Sequence, residues 1–90
     1  MEIIWPAPIR TKLFSFHSKH FTPEETRRYI EVLIVRTEEI LLNETLSVRY
    51  MEVIGKYKGI SRIVIDRFKI YCKRTNTEII IVGIKFPREN

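Results

Sequence analysis

Cations recur at alternate positions in the last third of this 90-residue chain. A β-strand points successive side chains to opposite faces, so this alternation predicts a sheet with an apolar face in the core and a basic face outside. Such a face suits phosphate contacts, and an aromatic ring within it suits base stacking. The predicted basic face consists of Arg62, Lys69, Tyr71, Lys73 and Lys85, and Lys56 and Lys58 precede it as further RNA-binding candidates.

The same cations also fit a solvated sheet face, because Lys and Arg there discourage edge-to-edge association. Any one of them alone is best explained in that way. Their recurrence on neighbouring strands is what favours an anionic ligand, and the formal net charge of +5 agrees with a polyanionic or an acidic protein partner.

The sequence offers few residues for other kinds of site, such as a metal site, a nucleophilic cysteine or a phosphate-binding loop. His17 and His20 are three residues apart and have no third ligand, so we expect no metal site. Cys72 shares the parity of Phe68 and Ile70, which predicts a core position rather than a nucleophile. No glycine-rich phosphate loop is present, and no cofactor is expected.

Metal-free cleavage of RNA fits what remains. An RNA 2′-hydroxyl attacks the adjacent phosphate when it is held in line and the charge on the phosphate oxygens is stabilised. Arg and Lys suit that stabilising role, and the departing alkoxide requires a general acid.

Turn signals predict how the strands pair. Asp66-Arg67 is predicted as a two-residue turn that places Ile65 opposite Phe68 and, further along, Arg62 opposite Tyr71. A three-residue turn at 75–77 is predicted to place Ile81 beside Tyr71 and Gly83 beside Lys69. The last strand, over 79–84, is apolar on both parities and is therefore predicted to be central.

The N-terminal half predicts one strand and two helices. Residues 2–5 form the strand, and a short amphipathic helix follows from about Ile9 to Ser18. A second helix begins at the capping box of Thr22 and Glu25, with Pro23 at its first position, and ends near Leu42. Residues 43–55 show no period and are predicted to be a connector. The expected fold is α+β, in the order β-α-α-β-β-β, with two helices on one face of a mostly antiparallel four-stranded sheet.

Length and composition predict a single domain spanning 1–90. No apolar run approaches the roughly 20 residues of a membrane span, and the first residues do not resemble a signal peptide. A single cysteine permits no internal disulfide, so we expect a cytoplasmic protein without a membrane partner.

Residues 59–71 and 78–88 resemble the RelE/ParE superfamily of bacterial toxins from type II toxin–antitoxin systems. They read Gly-Ile-Ser-Arg-Ile-Val-Ile-Asp-Arg-Phe-Lys-Ile-Tyr and Glu-Ile-Ile-Ile-Val-Gly-Ile-Lys-Phe-Pro-Arg. The resemblance implies the β-α-α-β-β-β fold and a cognate antitoxin protein as partner. RelE-like members are endoribonucleases that cleave mRNA on the ribosome without a metal, whereas ParE-like members inhibit DNA gyrase.

The resemblance also implies roles for individual residues. Lys69 matches the basic residue that contacts the scissile phosphate, Arg62 a cation on the preceding strand, and Arg88 the basic position after the last strand. RelE-like toxins place a Tyr or His near the C-terminus for proton transfer, whereas residues 86–90 here read Phe-Pro-Arg-Glu-Asn. Tyr71 is an alternative proton donor outside the motif. Three functions therefore stay open: an mRNA-cleaving toxin, a gyrase-binding toxin, and a binding module without catalysis.

Overall fold

The computed structural model describes the backbone of residues 1–43, 50–51 and 60–89, and the side chains of all of these except Tyr50 and Met51. Its elements are β1 (Glu2–Ile4), α1 (Ala7–Phe14), α2 (Pro23–Leu42), β2 (Tyr50–Met51), β3 (Ser61–Ile65), β4 (Phe68–Arg74) and β5 (Glu78–Lys85).

The strands form one mixed sheet in the order β1-β5-β4-β3-β2. β1 runs parallel to β5, and the other neighbouring strands are antiparallel. The predicted α+β class and the four predicted strands are confirmed. The prediction of a plain connector over 43–55 is wrong at residues 50–51, which add a two-residue edge strand paired with β3.

The capping box at the start of α2 is confirmed in full. Thr22 Oγ1 accepts a hydrogen bond from the Glu25 backbone N–H at 3.1 Å, and the Thr22 N–H donates to Glu25 Oε1 at 2.9 Å. Pro23 occupies the first turn, where its missing N–H costs nothing. The helix ends at Leu42 with Asn43 as its C-cap, as predicted.

α1 differs from the prediction at both ends. It starts at Ala7 rather than Ile9, because Pro8 lies in the first turn, where proline is tolerated. It ends at Phe14 rather than near Ser18. The Ser15 hydroxyl and backbone N–H both donate to the Lys12 carbonyl, at 2.6 and 3.1 Å, and this closes the last turn.

The core lies between the two helices and one face of the sheet. Phe68 is fully buried and meets Phe16 and Phe86 edge to face, with ring centroids 5.0 and 5.9 Å apart. The core cluster consists of Leu13, Ile30, Leu33, Leu41, Ile63, Ile65, Phe68, Ile70, Cys72, Ile79, Ile81 and Ile84.

The hairpin between β3 and β4 has the predicted turn. Asp66 and Arg67 both have positive φ, 48° and 70°, as a type I′ turn requires. Ile65 pairs with Phe68 and Arg62 with Tyr71, as predicted. Asp66 also fixes the turn to α2, because its Oδ2 accepts hydrogen bonds from Arg36 Nη1 at 2.8 Å and Tyr29 Oη at 3.3 Å.

The hairpin between β4 and β5 corrects the predicted register. The turn has two residues, since the Thr75 N–H donates to the Glu78 carbonyl at 2.8 Å and Arg74 pairs with Ile79. Further along, Tyr71 pairs with Gly83 rather than Ile81, and Lys69 with Lys85 rather than Gly83. A β-bulge separates the two parts of the ladder.

Candidate nucleic-acid interface

The β-bulge in β5 brings Lys85 onto the basic face. Cys72 pairs with Ile81 and Tyr71 with Gly83, so Val82 is the extra residue on β5. Ile81 faces the core, and unbroken alternation from it would turn Lys85 inward. The inserted residue changes the parity, so that Ile84 is buried at 1% exposure and Lys85 lies on the opposite face.

Two cross-strand rows then form the centre of the basic face. The first row runs from Arg62 on β3 through Tyr71 on β4 to Gly83 on β5. The second runs from Val64 through Lys69 to Lys85. Neighbouring strands lie about 4.8 Å apart, so the two lysines of the second row are close neighbours.

The two lysines are set differently from ordinary surface cations. Both are half-buried. Lys69 has no hydrogen bond or carboxylate partner among the residues that the structure describes. Like charges directly opposite each other on a sheet repel, so this pair is a place where a bound anion would be favourable.

The Tyr71 ring contacts Lys85 and is not accessible for stacking by a nucleotide base. The residue is only 2% exposed, although it lies on the face away from the helices, so the expected base stacking on its ring is wrong. The Lys85 Nζ lies 6.0 Å from the centroid of the ring. A cation over an aromatic ring is held by the electron-rich face of that ring, and Tyr71 therefore helps to fix the position of the ammonium group.

Two further predicted cations, Lys73 and Arg88, lie outside the two central rows. Lys73 is exposed on the same face, opposite Ile80 and one step beyond the Tyr71 row. Arg88 is exposed after β5 with a positive φ of 68°, and it has no hydrogen bond or ion pair with the other described residues. Lys56 and Lys58 lie outside the described residues.

The segment that carries Arg88 is fixed on the helix side of the sheet. Lys12 on α1 donates to the Ile84 carbonyl at 2.6 Å and to Glu89 Oε2 at 2.9 Å. Glu89 Oε1 accepts the backbone N–H of Phe86 at 2.8 Å, and these hydrogen bonds lower the pKa of the carboxyl group. The contacts thus anchor the chain after β5 to α1.

Arg74 has a role that the sequence analysis missed. It points to the helix side, where its Nη2 donates to the Leu41 carbonyl at 3.2 Å. No basic residue occupies the last turn of α2, so this arginine supplies the cation that a helix C-terminus favours. The available signal was its parity, which it shares with Cys72 and Ile70.

Other reactive groups are not at this face. Cys72 is buried in the core as predicted, and burial raises the pKa of its thiol. Burial and the neighbouring Asp66 carboxylate raise the pKa of Tyr29, which keeps its hydroxyl protonated as a donor. The described part of the chain contains no group of three His, Cys, Asp or Glu side chains arranged to hold a metal ion.

Neither of the described helices has the length and apolar character needed to cross a membrane. No family model matches the sequence, and no curated protein or solved structure matches the chain.

Proposed function

We propose that this chain is the toxin of a type II toxin–antitoxin module and that its basic face binds the phosphodiester backbone of RNA. One observation carries the proposal: two lysines, Lys69 and Lys85, oppose each other across β4 and β5 on the face away from the core. An anion between them converts a repulsive pair into a binding site. Arg62 and Lys73 extend the same face along the strands and suit neighbouring phosphates.

The proposed reaction is metal-independent cleavage of mRNA on the ribosome. The 2′-oxygen attacks the adjacent phosphorus as its proton passes to solvent water, the bond to the 5′-oxygen breaks, and a second proton must reach that oxygen. Lys69 and Lys85 stabilise the charge that builds on the phosphate oxygens. The described residues of the two central rows include no carboxylate or imidazole, so a lysine ammonium is the proton donor that we assign.

Gly83 makes room for the Tyr71 ring. It lies between the Val82 bulge and Lys85, leaves no side chain beside Tyr71 and is itself buried. The glycine therefore lets the aromatic ring that contacts Lys85 pack closely against β5. The sequence resemblance to RelE/ParE toxins, with its expectation of an antitoxin partner, is consistent with the same assignment, and so is the expectation of a cytoplasmic protein.

Gyrase inhibition is the second candidate, and the burial of Tyr71 favours it. Tyr71 was the alternative proton donor near the phosphate candidates, and at 2% exposure it is withdrawn from solvent and ligand. A toxin that lacks a general acid would act by binding alone, as the ParE-like toxins that this chain resembles act on gyrase.

Induced expression of the protein separates the two functions. Mapping of mRNA 5′ ends should show cuts in translated regions that disappear in the Lys69→Ala and Lys85→Ala variants and persist in Lys19→Ala, which changes an exposed lysine between the helices. Intact mRNA together with gyrase-linked DNA breaks would overturn the nuclease proposal. A matched oligonucleotide with 2′-deoxyribose at the cut site should remain intact on the ribosome.

A further inference from the structure

The outward side of α2 carries an apolar stripe that the domain itself does not cover. Val32, Val35 and Leu42 are 51%, 53% and 53% exposed. They lie on the side of the helix opposite Ile30, Leu33 and Leu41, which are buried against the sheet. β-Branched valines lower helix propensity, so exposed valines on this side contribute nothing favourable within one copy.

The spacing of the stripe is that of a coiled-coil seam. Arg28, Val32, Val35, Glu39 and Leu42 follow one another at steps of four, three, four and three residues. This is the a/d repeat by which one helix packs along another. We call these five residues the outer stripe.

The charges in the outer stripe select the orientation of a partner helix. In a parallel pair of identical helices, Arg28 would meet Arg28 and Glu39 would meet Glu39, and both contacts are repulsive. In an antiparallel pair, Val32 of one copy packs against Val35 of the other. The same alignment places Arg28 opposite Glu39 on either side of the valines.

We infer that the outer stripe of α2 binds a second copy of this chain, forming an antiparallel helix pair around a two-fold axis. The interface is isologous, since each contact occurs twice by symmetry. One helix pair buries less than the roughly 1,200 Å² of a standard interface, so the dimer is weak and depends on protein concentration. The inference does not rest on the proposed toxin function, because α2 lies on the other side of the sheet from the basic face.

Charge reversal provides the test. Sedimentation equilibrium of the full chain should show a monomer–dimer equilibrium whose Kd rises by about tenfold in R28E and in E39R, since each reversal creates two repulsive contacts. The R28E/E39R double variant exchanges the two charges and should return the Kd to the wild-type value. That recovery also shows that neither single variant failed through misfolding.

Removal of apolar surface gives a matched comparison. Val35→Ser should weaken the dimer by about tenfold, whereas Val64→Ser, at an equally exposed valine on the sheet, should leave it unchanged. A wild-type chain that stays monomeric at every concentration overturns the inference, and the outer stripe would then be a binding surface for a different protein. A dimer that the double variant does not restore overturns the antiparallel arrangement.

Discussion

Lys69 and Lys85 are directly opposed across β4 and β5, and the Val82 bulge is what creates their pairing. If β5 alternated regularly through Val82, Lys85 would point toward the core. A cross-strand pair of like charges destabilises a sheet by roughly 0.2–1 kcal/mol. The pair therefore lowers folding stability at the position that is best suited to a phosphate.

Substitution of Lys69 should change stability and RNA binding in opposite directions. Lys69→Ala removes the repulsion, so the free energy of unfolding should stay equal or rise by up to about 0.5 kcal/mol. Lys85→Ala also removes the contact with the Tyr71 ring, so it should bring no such gain. Affinity for a short single-stranded RNA should fall, and the slope of log K against log salt should decrease by about 0.7 for each lost phosphate contact. Fluorescence anisotropy over a salt series measures both quantities.

Lys19→Ala is the control for that experiment, because Lys19 is exposed between the two helices, away from the sheet. It should alter neither the affinity nor the slope. Equal losses in all three lysine variants would mean that RNA responds to net charge and not to this pair.

Tyr71 should act through its ring and not through its hydroxyl. Tyr71→Phe keeps the aromatic face below Lys85 and should retain RNA cleavage on the ribosome within a factor of a few. Tyr71→Leu removes the cation–π contact, worth about 0.5–1 kcal/mol, and should weaken RNA binding more than Tyr71→Phe does. A large loss of the cleavage rate in Tyr71→Phe, with binding intact, would instead identify the hydroxyl as a proton donor.

The turn at Asp66-Arg67 leaves a stabilising substitution available. Arg67 has a φ of 70°, a region that is costly for residues with a Cβ atom and free for glycine. Arg67→Gly should therefore raise the free energy of unfolding by about 0.5–1 kcal/mol in chemical denaturation. Arg67→Ala removes the same side chain but keeps the Cβ atom, and it should bring no such gain.

The ion pair between Lys12 and Glu89 should make stability depend on pH in the acid range. Hydrogen bonding to the Phe86 N–H and then to Lys12 lowers the pKa of Glu89 in the folded state. A carboxyl group with a lowered folded pKa contributes stability above its unfolded pKa of about 4.3, and loses it as pH falls through the folded value. Because both side chains are partly exposed, the contribution at neutral pH should be below about 1 kcal/mol.

Glu89→Gln isolates this contribution, since it removes the charge and keeps an oxygen that can accept the Phe86 N–H. Thermal unfolding should give a higher Tm for the wild type than for the variant at pH 7, and this difference in Tm should disappear toward pH 3. A difference that is the same at both pH values would assign the effect to packing.

Local sequence signals specified much of this fold. The Thr22 capping box and the Asp66-Arg67 turn depend on side chains within three residues of one another, so both can be predicted from the sequence. The register of β5 could not be predicted in this way. Ile79, Ile80, Ile81 and Val82 are apolar on both parities, and a one-residue change of parity leaves no mark in such a run. Only packing against the helices decides that Ile81 and Ile84 both face the core.

Deletion of Val82 tests the bulge directly. Without this residue, alternation from Ile81 turns Gly83 outward, Ile84 inward and Lys85 outward, so the present pairs with β4 are kept in a regular ladder. The deletion should therefore lower the free energy of unfolding by less than about 2 kcal/mol, because no lysine enters the core. Val82→Ala keeps the bulge and shortens a side chain that is 38% exposed, so it should cost less than about 1 kcal/mol. Denaturation of both variants provides the comparison, and a deletion that costs more than about 3 kcal/mol would show that β5 does not keep Ile84 inward and Lys85 outward without the bulge.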